Sequence, residues 1–462
     1  MAETTTSPTR QPYFSWYNPD FRAMIYQVVT LSAVVMMGWF IFSNTQANLA
    51  KRGITSGFSF LDNEAGFGMS EILPVPQLEG GFPIFLLSIF LGIGLTWGLK
   101  RYLKTQGKTI GDDYRFGLVT VFFLFCIPGL TYFFTHHLFI TANYTEESSY
   151  GIALATGVFN TIKVSLIGCL LATLIGFLIG IARLSSNWLI STLAASYIET
   201  VRNIPLLLQI FFWYFAVIQT MPGVQESIVL WENVFVNNRG IYVPNPTVTD
   251  AFTPFLVAVF LASVGVYFWN RWVRIVRDRT GQQLKALAPS IALLVILPGL
   301  VWLVAGSPYT WVFPVLEGFN YEGGLVFSPE YASLLIALSM YHGSFIAEIV
   351  RSGIQAVSKG QKEAAGALGL RAGLVLRLVV IPQSMRVIIP PLTSQFLNLT
   401  KNSSLAVAIA YPELVSVGGT VLNQSGQAIE IIGITMAIYL TFSLLISLFM
   451  NWYNEKMKLV ER

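Results

Sequence analysis

Long apolar runs, broken by short charged or glycine-rich segments, dominate this chain. Crossing a hydrocarbon core of about 30 Å as a helix takes roughly 20 such residues. Ten stretches qualify, near 24 to 42, 82 to 99, 117 to 135, 152 to 182, 204 to 221, 253 to 270, 287 to 305, 330 to 350, 376 to 398 and 428 to 450. The second and seventh are short and interrupted by Gly or Pro, which leaves eight spans as the fallback count. The pattern predicts an all-α, polytopic integral membrane protein.

Composition agrees. The 462 residues are 54% hydrophobic and 11% charged, against roughly 25% charged in ordinary soluble domains. Cys126 and Cys169 both fall inside apolar runs, so no disulfide framework and no CxxC metal or redox site is expected. The first 20 residues are polar and read as no signal peptide. A net charge of +4 is small, and its excess sits between apolar runs, which makes it a topology signal and not a nucleic-acid footprint.

Short cytoplasmic loops retain Lys and Arg. Lys100, Arg101, Lys104, Lys108 and Arg115 fill one loop, and 271 to 285 is equally basic. Arg351, Lys359, Lys362 and Arg371 mark a third, with Arg377 just beyond, and Lys456, Lys458 and Arg462 mark the C-terminal tail. Loops 136 to 151, 222 to 252 and 306 to 329 hold few basic residues or none. Ten spans with both termini cytoplasmic satisfy this alternation. The exception is the first loop, where Lys51 and Arg52 sit among Asp62, Glu64, Glu71 and Glu79.

The cytoplasmic loop between the spans at 330 to 350 and 376 to 398 is about 25 residues long, a length that usually carries structure or function. Lys362, Glu363, Ala364, Ala365, Ala367 and Leu368 favour a short helix, Gly369 can end it in the left-handed conformation, and a second helix can restart near Arg371. Ala364, Ala367 and Leu368 share a face small enough for another protein's backbone to approach closely. On composition alone, an amphipathic segment lying on lipid fits as well.

Glu363-Ala364-Ala365, three residues, Gly369, nine residues and Val379-Val380-Ile381-Pro382 together resemble the EAA signature of bacterial ABC importer permeases. The flanks Tyr341 to Ile354, Lys359-Gly360-Gln361, Ile381 to Arg386, Pro390-Pro391-Leu392 and Lys401 to Leu405 are similar to the amino-acid branch of that family. So is the upstream block from Tyr197 to Gln209 with Phe211, Phe212 and Tyr214. The likeness is strongest to the larger permease subunits of general L-amino-acid importers, and it covers about 152 to 221 and 329 to 452.

The resemblance implies a five-helix type I importer core in a bacterial inner membrane. The chain then divides into an N-terminal extension at 1–150 with about three spans, a first core part at 151–222, an inserted loop and helix pair at 223–328, and a second core part at 329–462. Lys362, Glu363, Ala364, Ala365, Gly369 and Pro382 would form the loop that docks a separate ATPase, which would bind the ATP and magnesium. The other implied partners are a second permease subunit, related but different, an external substrate-binding protein and a polar or general L-amino acid. No cofactor is expected in this chain itself. Gly107-Lys108-Thr109 resembles the end of a phosphate-binding loop, but the first glycine position is Tyr102, so the motif fails and the chain is expected to be no enzyme.

Charges within or bordering spans need partners or water, because a charge at the bilayer centre costs roughly 2.5 to 3.5 kcal/mol on insertion scales. Glu199 with Arg202 and Glu348 with Arg351 are spaced to pair on one helical face and read as structural clamps; Lys163 either snorkels or faces a neighbouring helix. The polar run at the end of the ninth span offers Asn398, Lys401, Asn402, Ser403 and Ser404 as candidates for the pathway, with the lysine suited to a substrate carboxylate, or as contacts between helices. Phe211 to Phe215 read as packing and interface belt, and His136, His137 and His342 form no metal-ligand pattern. An ion-coupled secondary transporter or channel is the competing class, although the only internal echo, Glu199 to Arg202 against Glu348 to Arg351, is too short to define a repeat.

Overall fold

The computed structural model describes residues 16, 18–51, 57–72, 75–76, 141–142, 144–282, 284 and 286–457. The spans expected near 82 to 99 and 117 to 135 lie outside the described residues, as do the loop from Lys100 to Arg115, Cys126, His136 and His137. Among the described residues, seven helices are long and apolar enough to cross a membrane, and two further helices that meet at 105° reach that length and apolarity only when taken together.

In chain order these are α1 (Pro19–Lys51), α2 (Tyr150–Arg183), α3 (Trp188–Asn203) and α4 (Leu206–Phe211), which runs on as a π-helical turn to Ile218. Next come α5 (Phe252–Thr280), α6 (Leu287–Ala305), α7 (Pro329–Gln355) and the short α8 (Lys359–Ala367). A continuous helical run follows, with α9 (Ala372–Val375), a π turn (Leu376–Val380), α10 (Ile381–Asn402) and a 3-10 turn (Ser403–Ile409). The chain closes with α11 (Leu414–Ser425) and α12 (Ala428–Met457).

The straight span expected at 204 to 221 is corrected to the second limb of a bent pair, α3 and α4. Pro205 disfavours the helical conformation at the residue before it, and Ile204 is extended at φ −94° and ψ 127°. The break leaves carbonyls without helical partners, and the Gln209 side-chain amide donates to two of them, on Val201 at 2.8 Å and Ile204 at 2.9 Å.

Helix α7 is the most buried of the spans and forms the centre of the bundle. It crosses α2 closely because glycines face it: a Cβ at Gly176 would lie 2.5 Å from Ile346, and one at Gly180 would lie 2.6 Å from the Ala347 carbonyl oxygen. Between helices in lipid, such close packing replaces the hydrophobic drive available in water. Tyr331, Leu334, Leu338, Ile346 and Val350 of α7 share one core with Ile210 of α4 and Ile388, Ile389 and Leu399 of α10. Helix α1, in contrast, buries none of its apolar window against the chain.

Residues 57–72 are stitched to the start of α2. Ala65 N–H donates to the Ser148 carbonyl at 2.8 Å, and Tyr150 N–H to that of Asn63 at 2.9 Å. Phe60 and Ala65 pack with Tyr144, Tyr150, Leu154 and Leu414.

The segments before and after the α5–α6 pair, left as loops by the sequence pattern, form small antiparallel sheets. Strands β3 (Ile228–Leu230), β4 (Val234–Asn237) and β5 (Gly240–Val243) continue onto β10 (Leu325–Phe327) in the order β10-β5-β4-β3. Likewise β6 (Asn245–Val248) pairs β7 (Tyr309–Val312), with Thr247 opposite Thr310. The entry and exit of the α5–α6 pair are therefore held side by side. Strand pairs β1 (Val75–Pro76) with β2 (Thr141–Ala142) and β8 (Val315–Glu317) with β9 (Asn320–Glu322) complete the list among the described residues.

Candidate coupling and translocation site

Helix α8 forms where the sequence places it and ends on Gly369, whose φ of +76° is the left-handed conformation that glycine adopts without a Cβ penalty. Gly369 N–H closes onto the Gly366 carbonyl at 2.9 Å, and Leu370 N–H onto that of Ala365 at 3.3 Å. Only Ala365 of this helix is buried; Glu363, Ala364, Ala367 and Leu368 are exposed, Leu368 to 82%. Lys362 is half-buried at the rim, and Pro382 lies in the first turn of α10. The small-residue face and its acidic edge are thus uncovered by the chain that carries them.

The chain from Ala372 to Ile409 is one helical span. It joins α8 at one end to the polar run at the other, roughly 40 Å apart at 1.5 Å per residue. That polar run is split between two faces. Ser394, Asn398 and Lys401 are exposed, continuing a stripe that begins at Val387, Pro390 and Pro391. Asn402 turns inward: its Nδ2 lies 3.2 Å from Nε2 of the buried His342, whose Nδ1 lies 3.2 Å from Gln395 Oε1. A single neutral tautomer satisfies both contacts, with Nδ1–H donating to Gln395 and Nε2 accepting from Asn402. Ser403 is buried and donates to the Thr400 carbonyl at 2.7 Å; the Ser404 hydroxyl donates to that of Lys401, also at 2.7 Å.

Of the two expected ion pairs, Glu348 and Arg351 meet: Arg351 Nε donates to Glu348 Oε2 at 2.9 Å, with a second contact from Nη2 to Oε1. Glu199 and Arg202 do not pair. The Arg202 guanidinium lies 4.8 Å from the centroid of the Phe345 ring on α7, a cation–π contact that draws it away from its own helix.

Lys163 does face a neighbouring segment, and its partner is distant in sequence. Its ammonium pairs with the carboxylate of Glu71, which also accepts from the Ser328 hydroxyl at 3.2 Å. Burial pushes the Glu71 carboxyl up; Lys163 and Ser328 pull against that, and the net direction is upward. The Tyr144 hydroxyl, which donates to the Phe67 carbonyl in the same stitched region, is pushed up to about 12, mainly by burial.

Sequence reasoning missed Glu413 altogether. It is fully buried, caps α11 by accepting from Val415 N–H at 2.9 Å and Ser416 N–H at 2.8 Å, and accepts the Tyr439 hydroxyl. An acidic residue immediately before Leu414-Val415 was the available signal.

The segment from 285 to 458 matches the family described as binding-protein-dependent transport system inner membrane component. The general L-amino acid transport system permease protein AapQ of Rhizobium johnstonii is 43% identical over 96% of this chain and 94% of its own length. The putative amino-acid ABC transporter permease protein YhdX of Escherichia coli is also 43% identical, over 97% of each chain. The glutamate/glutamine/aspartate/asparagine transport system permease protein BztB of Rhodobacter capsulatus is 38% identical over 86% of this chain and 98% of that one. Likeness over nearly the whole length, together with a helical membrane bundle carrying the EAA helix, defines the class as ABC importer permeases. This chain belongs to the amino-acid ABC transporter permease family and is a multi-pass membrane protein.

Proposed function

We propose that this chain is one of two related but different permease subunits that pass polar or general L-amino acids, delivered by an external binding protein, across a bacterial inner membrane. A separate ATPase carries the ATP and magnesium and supplies the energy. The observation that carries the reading is the exposed face of Glu363, Ala364, Ala367 and Leu368, fixed on a short helix by the left-handed Gly369.

Ala365 anchors that helix to the chain, and the helical run from Ala372 to Ile409 leads from it to the exposed Asn398 and Lys401. Movement of a docked ATPase is transmitted along this run. The pathway then shifts between openings to either side, because the two nucleotide states contact α8 differently. Asn398 and Lys401, with Ser404 beside them, line the pathway towards the second subunit, and Lys401 attracts the substrate carboxylate. Asn402 and Ser403 hold that surface in place through His342 and Thr400. Both termini lie on the cytoplasmic side, which sets Arg271, Arg274, Arg277 and Arg279 on α5 on the same side as Lys359, Lys362 and Arg371.

The test is co-purification from native membranes through a tag on the C-terminal tail, with mass spectrometry of what accompanies the chain. Wild type should bring an ATPase and a second permease, and Gly369→Pro should lose the ATPase while remaining in the membrane. A folded wild-type preparation with no ATPase overturns the reading.

A further inference from the structure

Lys163 lies well inside α2, yet its side chain keeps 19% of its surface exposed while that of Glu71, its partner, keeps 8%. The lysine ammonium also sits over the Tyr331 ring at 4.3 Å from the centroid and near the Phe327 ring at 5.9 Å. Glu71 reaches this point from residues 57–72, outside the spans. Its backbone carbonyl accepts from Asn160 Nδ2 at 3.2 Å, and the same amide group donates to the Pro412 carbonyl at 2.9 Å. The Glu71 side chain therefore pegs α2 to the start of α7, while Asn160 ties the Glu71 backbone to the break before α11.

The surroundings hold more polar capacity than one carboxylate uses. Buried Tyr331 and Tyr411 hydroxyls and Asn160 Oδ1 have no hydrogen-bond partner, and both tyrosines interact electrostatically with Glu71. Buried polar groups are normally satisfied, so a set of orphans around a cation is a departure that asks for a ligand. A zwitterionic amino acid answers it. Its carboxylate matches Lys163 and Ser328, while the orphan oxygens of Asn160, Tyr331 and Tyr411 suit its ammonium.

We propose that this cluster is a recognition site for the carboxylate of an amino-acid substrate, and that Glu71 holds it as a displaceable internal occupant. The proposal rests on the import reading above and adds a site to it. A ligand that displaces Glu71 has to bring a negative charge of its own, because a half-buried lysine left without a partner inside a span is costly. Amides and other neutral analogues are thereby refused. Displacement also frees one of the contacts holding the N-terminal extension to the core, which links occupancy of the site to that extension.

The experiment uses the assembled permease pair with its ATPase in lipid nanodiscs, without binding protein, and follows thermal unfolding. Glu71→Ala should melt below wild type and be restored by millimolar L-glutamine, and partly by acetate, but not by the α-amide of L-glutamine. Wild type should need on the order of tenfold more L-glutamine for the same shift, since its tethered carboxylate competes at an effective concentration in the millimolar range. Glu71→Ala combined with Lys163→Met should lose the response. Where Glu71→Ala does not fold, Glu71→Gln is measured in the same way.

A Glu71 variant that melts low and ignores L-glutamine overturns the proposal, as does a response that survives Lys163→Met. Rescue by amino-acid-free binding protein, and not by L-glutamine, overturns it too. ATP-driven uptake by the wild-type complex, reconstituted in proteoliposomes with its binding protein, is scored separately: its absence with the carboxylate rescue intact fails the import reading alone, and its presence without rescue fails only the carboxylate site.

Discussion

The buried carboxylate of Glu413, at the N-terminus of α11, accepts the hydroxyl of Tyr439 on α12 at 3.0 Å. One side chain thus caps a helix and ties it to the next. Removing an N-cap costs about 0.5 to 2 kcal/mol, and leaving a buried group unpaired about 1 to 3 kcal/mol. Glu413→Ala should therefore lower the melting temperature in detergent more than Tyr439→Phe does. The double variant should cost less than the two single losses added together, and equal or additive losses would show that the two groups do not act as a unit.

Gly180→Val should prevent stable folding, because the new Cβ meets the Ala347 carbonyl oxygen at 2.6 Å, backbone that has no rotamer to yield. Gly419→Ala, where nothing lies within 4 Å, is the matched control and should accumulate normally. Yield of monodisperse protein after mild extraction reads the difference.

Two glycines only three residues apart, one inside α8 and one just past its end, should respond oppositely. Gly369→Ala forces a side chain into φ +76° and should cost about 1 kcal/mol, fraying the end of α8. Gly366→Ala, inside the helix with open space around it, should stabilise α8 by about 0.5 to 1 kcal/mol. Amide hydrogen exchange across 359–368 should accelerate in the first variant and slow in the second.

Lys401→Ala should reduce ATP-driven amino-acid uptake by proteoliposomes, while the ATPase and second permease still co-purify. Asn402→Ala breaks a contact to buried His342 and should lower the melting temperature as well. Unchanged uptake affinity and rate with Lys401→Ala would remove the lysine from the pathway.

Sequence alone located those spans whose apolar runs are long enough to stand out, and it located α8 because its determinants are local: helix-favouring residues closed by one glycine. It did not show the bend between α3 and α4. The sixteen residues of α3 mix Ser, Thr, Glu and Arg with apolar positions, so the helix never reads as membrane-spanning. The small sheets escaped because strands of two to four residues leave no periodicity to detect. Spacing suggested an ion pair at Glu199 and Arg202, but spacing knows nothing of Phe345 on another helix. The polar run was visible as a run, whereas its division into an exposed Lys401 and an inward Asn402 depends on which neighbours α10 meets. Nothing near Lys163 in the chain could have pointed to Glu71, 92 residues away.

The register that sets Ile241 opposite Phe327 and Thr247 opposite Thr310 closes the ends of the α5–α6 hairpin on each other. A return excursion through the bilayer preserves parity: the chain re-enters α7 from the face it left after α4. Lengthening or deleting that excursion in pairs of helices would leave α8 facing the same compartment, so the length of the hairpin is decoupled from the orientation of everything that follows it.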